Sequence, residues 1–201
     1  AVRTSVPHMT KIVGIDPGLA ATGVGVVRGS GMKVAGYSFG CITTSPSISL
    51  AQRLNRIFSE LQQFLAVELP DLVVIEDVFS LKEYPKAGVS LGQVSGAVML
   101  AACRAGLTCI HVPVREAKQV LTGNGNASKV QLEKAVRRQI GHPEPIRPFH
   151  AADALGLALI GLFRRPDRPG SVLARGAADG RPNPKPQRCT RQGADSARPW
   201  G

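Results

Sequence analysis

Ile12-Val13-Gly14-Ile15-Asp16-Pro17-Gly18, followed by Thr22-Gly23-Val24-Gly25-Val26-Val27, is the stretch from which the rest of the chain can be read. An apolar run ends in a carboxylate. Pro17 presets φ and Gly18 tolerates a turn, and a second apolar run returns. The pattern predicts a buried strand with Asp16 at its end, a tight turn and an antiparallel partner. A carboxylate fixed on a strand is held more rigidly than one on a loop, which suits metal binding or charge-sensitive chemistry. Taken alone, an aspartate that merely opens a turn fits equally well.

Working outward, 32–40 reads as a third strand after Gly29-Ser30-Gly31, completing a meander. Leu50, Leu54, Ile57, Leu61 and Phe64 or Leu65 recur at helical spacing, with Ser47 or Ser49 as a cap. Pro70-Asp71 ends that helix, and Leu72-Val73-Val74-Ile75-Glu76 is a second apolar strand that delivers an acid at its end. In open α/β sheets that edge is where ligands bind. The stretch 78–90 reads as irregular. A small-residue helix runs from about Val89 to Arg104 (Gly92, Ser95, Gly96, Ala101, Ala102), suited to close packing on a neighbour or a second subunit. A strand at 108–112, a short helix at 114–121 carrying Lys118, a Gly/Asn loop at 122–126 and a helix from Ser128 to about Ile140 follow. Residues 141–148, with three prolines, read as a linker, and a last Ala/Leu-rich helix spans 150–163.

The order β-β-β-α-β-α-β-α-α-α predicts an α/β fold: a mixed five-stranded sheet with helices on both faces, as in ribonuclease-H-like domains of the retroviral-integrase superfamily. Residues 1–10 read as an N-terminal extension or tag remnant, 11–165 as the folded domain, and 166–201 as a basic, Pro/Gly/Arg-rich disordered tail.

Composition narrows the function. No apolar run is long enough for a membrane span, which predicts no membrane partner. The four cysteines form no C-x-x-C pair, so zinc is disfavoured and a cytoplasmic setting is expected. The net charge of +11 favours a polyanionic partner. From Arg164 onward nine basic residues stand against three acids, so the tail holds about half the excess and the body is basic in its own right.

The last helix supplies the third acid. His150 and Asp153 are three apart and share a helix face among alanines. An acid on an apolar helix is costly to bury unless a cation faces it. Asp16, Glu76 and Asp153, with His150, would suit two Mg²⁺ ions roughly 3.5–4 Å apart, the spacing of two-metal phosphodiester chemistry. Oxygen ligands favour Mg²⁺ or Mn²⁺ over zinc.

These segments, with Val74-Ile75-Glu76-Asp77-Val78-Phe79, Leu91-Gly92-Gln93, Thr122-Gly123-Asn124-Gly125, Ser128-Lys129 and His150-Ala151-Ala152-Asp153-Ala154, resemble the bacterial RuvC-type Holliday junction resolvases over about 11–163. The resemblance implies a homodimeric, Mg²⁺-dependent endonuclease that resolves four-way DNA junctions by paired symmetric nicks in recombination and repair. It also implies cooperation with the RuvA–RuvB branch-migration complex. By motif, Asp16, Glu76 and Asp153 would bind metal, and Lys118 and Lys129 would lie beside the scissile strand. Phe79 would stack on an unpaired base, and Lys82 would sit near DNA. Some relatives have a fourth aspartate where this chain has His150, which would either ligate metal or act on the attacking water. The small-residue helix around Gly92 is the expected dimer surface.

Rival classes are weaker. Actin-like and sugar-kinase ATPases share the acid-turn-glycine opening but need a second domain and further phosphate loops. A junction binder that does not cut has no use for the full acid set. A related RNA nuclease is disfavoured by the lysines and Phe79.

Overall fold

A computed structural model describes residues 9–77 and 85–164. Its elements are β1 (Thr10–Asp16), β2 (Ala21–Ser30), β3 (Lys33–Thr43), α1 (Leu50–Glu68), β4 (Leu72–Glu76), α2 (Pro85–Arg104), β5 (Cys109–Val112), α3 (Val114–Thr122), α4 (Lys129–Ile140) and α5 (Phe149–Arg164). The order is the one the sequence predicts. The sheet runs β3-β2-β1-β4-β5, with β1 central. β1–β3 form the antiparallel meander, while β4 and β5 run parallel to β1.

The two-residue period of a strand sorts side chains between two cores. Val13, Ile15, Val24, Val26, Val73 and Ile75 face α1 and α2, meeting Ile57, Leu61, Leu65, Val94 and Val98. Ile12, Val27, Leu72 and Val74 face α3–α5. Position 16 has the parity of Ile12, and 76 that of Val74, so both acids point to the α5 side. The parallel register pairs Ile15 with Ile75. One further step sets Asp16 beside Glu76.

Helix α5 is buried at twelve consecutive positions, Ala151 to Leu162. It rests directly on the sheet. A Cβ on Gly14 would lie 2.0 Å from the Ala154 carbonyl oxygen, one on Gly23 2.0 Å from that of His150, and one on Gly25 2.6 Å from the Leu155 nitrogen. The close approach of α5 to the sheet is therefore made chiefly by glycines on β1 and β2.

Three expectations need correction, and one open alternative, the cap of α1, is decided. Helix α2 begins at Pro85, not near Val89. Proline's missing N–H costs nothing in a first helical turn, so it opens the helix here. Leu50 is exposed, and the buried face of α1 starts at Ile57. Ser49 rather than Ser47 caps α1, in a capping box with Gln52. The 141–148 segment is packed rather than a loose linker: Ile146 is fully buried and donates its N–H to Glu133 Oε1 at 2.9 Å. Glu133, itself buried, also pairs with Arg137 Nε at 3.2 Å. Residues 1–8 of the expected N-terminal extension, most of the irregular stretch after β4 and the basic tail from 166 onward lie outside the described residues, while Thr10, placed in that extension by the sequence reading, already belongs to β1.

Candidate active site

Four elements deliver the site. β1 and β4 present Asp16 and Glu76 at their adjacent C-terminal ends. The first turn of α5, seated on Gly23, carries His150 and, one turn on, Asp153. The first residue of α4, Lys129, closes the group. Asp16 and Asp153 are buried, at 5% and 8% relative exposure.

His150 Nδ1 donates to Asp16 Oδ2 at 2.6 Å, and Lys129 Nζ stands 4.0 Å from Asp153 Oδ2. The hydrogen bond to Asp16 raises the His150 pKa, against burial, which lowers it. Among the described residues no protein group takes the other ring nitrogen, and the ring is partly open to solvent. Burial, followed by a shared hydrogen bond and repulsion from Asp16, pushes Glu76 up to about 9. Burial and then Asp16 push Asp153 up to about 6, opposed by Lys129, His150 and Lys118. Three acids thus share one poorly solvated basin with too little positive charge to ionise them all.

This excess of negative charge makes a stability prediction. Acids whose folded pKa exceeds the unfolded value hold more protons in the native state, so stability falls as pH rises through that window. For Asp153 the window runs from its ordinary 3.8 to about 6, and for Glu76 from 4.5 to about 9. In chelator, the melting temperature should decline steadily between pH 5 and about 9. A flat profile would mean that the acids do not interact.

As placed, no group of three or more His, Cys, Asp or Glu side chains among the described residues closes a metal shell. The donor set nevertheless fits a hard divalent cation. Its ligands are carboxylate oxygens with one imidazole, and the raised acids lack the charge such an ion supplies.

Lys118 and Lys129 both act electrostatically on Asp153, so the structure brings both to the site. Between them lies the 122–126 loop, braced from α3: Gln119 accepts from the Gly125 N–H and donates to the Gly123 carbonyl. Ser128 then caps α4 in a capping box with Gln131, fixing Lys129 in the first turn. Phe79 and Lys82 lie outside the described residues.

Two contributors escaped the sequence reading. Gln119 is one, because its bracing role depends on the fold of the loop. Cys41 is the other. It pairs with Gly23 across the sheet, and burial, with Asp16 nearby, pushes its thiol up. Only the β2–β3 register brings it there.

Comparisons with known proteins identify the family and the fold. A model of the family described as "Crossover junction endodeoxyribonuclease RuvC" matches residues 12–161. The protein of that name from Carboxydothermus hydrogenoformans is 37% identical over 154 residues, covering 77% of this chain and 96% of its own. Its namesake from Prosthecochloris aestuarii is 36% identical over 152 residues, covering 76% and 81%. Among solved structures, Thermus thermophilus RuvC in complex with Holliday junction substrate superposes with a TM-score of 0.72 at 34% identity, over 78% of this chain and 94% of that one. A second structure of Thermus thermophilus RuvC gives 0.67 at 32% identity, over 77% and 94%. With its ribonuclease-H-like sheet and its acids at the adjacent ends of β1 and β4, the chain belongs to the RuvC family of crossover junction endodeoxyribonucleases.

Proposed function

We propose that this chain is a structure-selective DNA endonuclease that resolves four-way junctions by paired symmetric nicks, acting in recombination and repair. The observation that carries the reading is the convergence of Asp16, Glu76, Asp153 and His150 at one sheet edge of a basic chain of this family. Asp16, Glu76 and Asp153 would hold Mg²⁺, two ions per site with Mn²⁺ as a substitute, and His150 either joins them or serves the water. Bound there, the metal supplies Lewis-acid polarisation of the phosphate and a nucleophile at neutral pH.

The chain's own residues do the rest. Asp16 orients the His150 ring through Nδ1, leaving the second nitrogen to accept or return a proton at the attacking water. Lys118 and Lys129 neutralise the scissile phosphate and the charge that develops on it. Phe79 stacks on an unpaired base, and Lys82 contacts the backbone nearby.

Two copies are needed for paired nicks. The face of α2 around Gly92 and Gly96, where an added Cβ meets nothing, with exposed Val89, Met99 and Leu100, supports a homodimer through this helix. Cooperation with RuvA–RuvB belongs to the same reading. Among the described residues no helix is long and apolar enough to cross a membrane.

The test is incubation with a four-way junction, linear duplex and hairpin RNA, with and without Mg²⁺. Symmetric nicks in the junction alone, requiring metal, are expected. Binding without cutting would remove the catalytic role, and cleavage of RNA but not junction would overturn the substrate. The metal also has a signature apart from activity. Mg²⁺ should raise the melting temperature more at pH 8.5 than at pH 5.5, because it binds the ionised acids. Equal shifts at the two pH values would count against these ligands.

A further inference from the structure

Helix α4 carries cations that the site does not use. Lys134 and Arg138, one turn apart, are exposed, and neither makes an ion pair among the described residues. Both line two adjoining concavities of about 540 and 520 Å³. The first opens beside the 122–126 loop, and the second passes the helix end to Gly141 and His142. Among the described residues no acid lines either one. A helix C-terminus accounts for Arg138, since cations are favoured there, but not for Lys134 in the middle. Arg137 differs from both: it is committed to Glu133 and to the Pro143 carbonyl.

Open, acid-free and exposed cations of this kind suit a row of phosphates better than a single buried anion, for which the face has no enclosed cradle. The track is also rigid. Its start is fixed by the Ser128 cap, and Gln139 near its end donates to the Met32 carbonyl of the β2–β3 turn. It begins at Lys129, beside Asp153. Lys134 lies five residues and Arg138 nine residues beyond Lys129, about 7.5 and 13.5 Å along the axis. At 3.4 Å per step of one strand those distances are about two and about four base pairs.

We infer that the Lys134–Arg138 face of α4 grips the phosphate backbone of one junction arm about two to four base pairs from the scissile phosphate. The inference rests on the junction-cleaving function proposed above and adds a second anchoring point away from the chemistry.

The experiment uses the full chain, a long-armed junction and chelator, with Lys134→Gln/Arg138→Gln beside a charge-keeping Lys134→Arg/Arg138→Lys control. Two lost phosphate contacts lower the salt slope by about 1.8, so the neutral variant loses about tenfold less affinity than wild type between 50 and 200 mM salt. The control keeps the wild-type slope. Methylphosphonates about two to four steps from the cut should weaken wild type and leave the neutral variant unaffected. Turnover at saturating junction stays unchanged, because neither residue touches the reacting atoms. An unchanged slope, or a slope loss with undiminished sensitivity to those methylphosphonates, overturns the inference. A wild-type chain that did not bind junctions would instead overturn the function itself, and this grip with it.

Discussion

Asp16→Asn is expected to abolish junction cleavage, by about 10³-fold or more, while junction binding persists. That loss is the rate equivalent of the several kcal/mol that a catalytic metal supplies to developing charge. The substitution keeps the shape of the side chain and removes only its charge. It therefore withdraws the proposed metal ligand and the anionic acceptor of His150 without opening a cavity. The same change relieves the apo protein. Asp16 repels both raised acids, adding to what burial does to Glu76 and to Asp153. Removing its charge lets those groups ionise more easily, so the metal-free variant should melt no lower than wild type at pH 8.5, and its decline with pH should be shallower. Single-turnover cleavage, junction affinity in chelator and melting curves against pH check the three parts. An active variant would displace Asp16 from the chemistry. An inactive variant that melted far lower would make the loss a folding defect.

Much of this was legible because the informative residues combine strong local signals with simple periodicities. The two acid-terminated apolar runs give β1 and β4, and the parity of a strand puts Asp16 and Glu76 on one face once the strands are paired. The three-residue spacing of His150 and Asp153 gives the third wall. The sequence was silent where an answer depends on which backbone meets which. Gly14, Gly23 and Gly25 look like ordinary small strand residues until α5 lies across them. Pro85 reads as a breaker, although the first turn of a helix accepts it. The three prolines of 141–148 suggest a linker, yet Glu133, 13 residues away from Ile146, fixes that segment from α4. No local pattern announces a buried glutamate as a clamp, because its partner is a backbone N–H supplied by the fold.

Gly23→Ala is expected to damage the protein more than any other single added methyl group, together with Gly14→Ala. In each case the new Cβ would stand 2.0 Å from a carbonyl oxygen of α5, that of His150 or of Ala154. The obstruction is backbone, so no rotamer change relieves it, and the helix must lift from the sheet. Overpacking of a well-packed core costs up to about 3 kcal/mol and occasionally more. At that cost a chain of this size melts roughly 6–12 °C lower. Gly40→Ala is the control. It lies on β3 of the same sheet, an added Cβ there meets nothing within 4 Å, and strand interiors generally favour Ala over Gly by roughly 0.5–1 kcal/mol. The identical substitution should therefore stabilise slightly at 40 and destabilise strongly at 23. Function discriminates further. Lifting the first turn of α5 separates His150 Nδ1 from Asp16, so Gly23→Ala should lose cleavage even at temperatures where it remains folded, whereas Gly40→Ala keeps it. Melting curves and cleavage assays on the two variants measure both effects. If Gly23→Ala proved as stable and as active as Gly40→Ala, α5 would not be seated on the sheet through its glycines, and the geometry that joins His150 to Asp16 would need another cause.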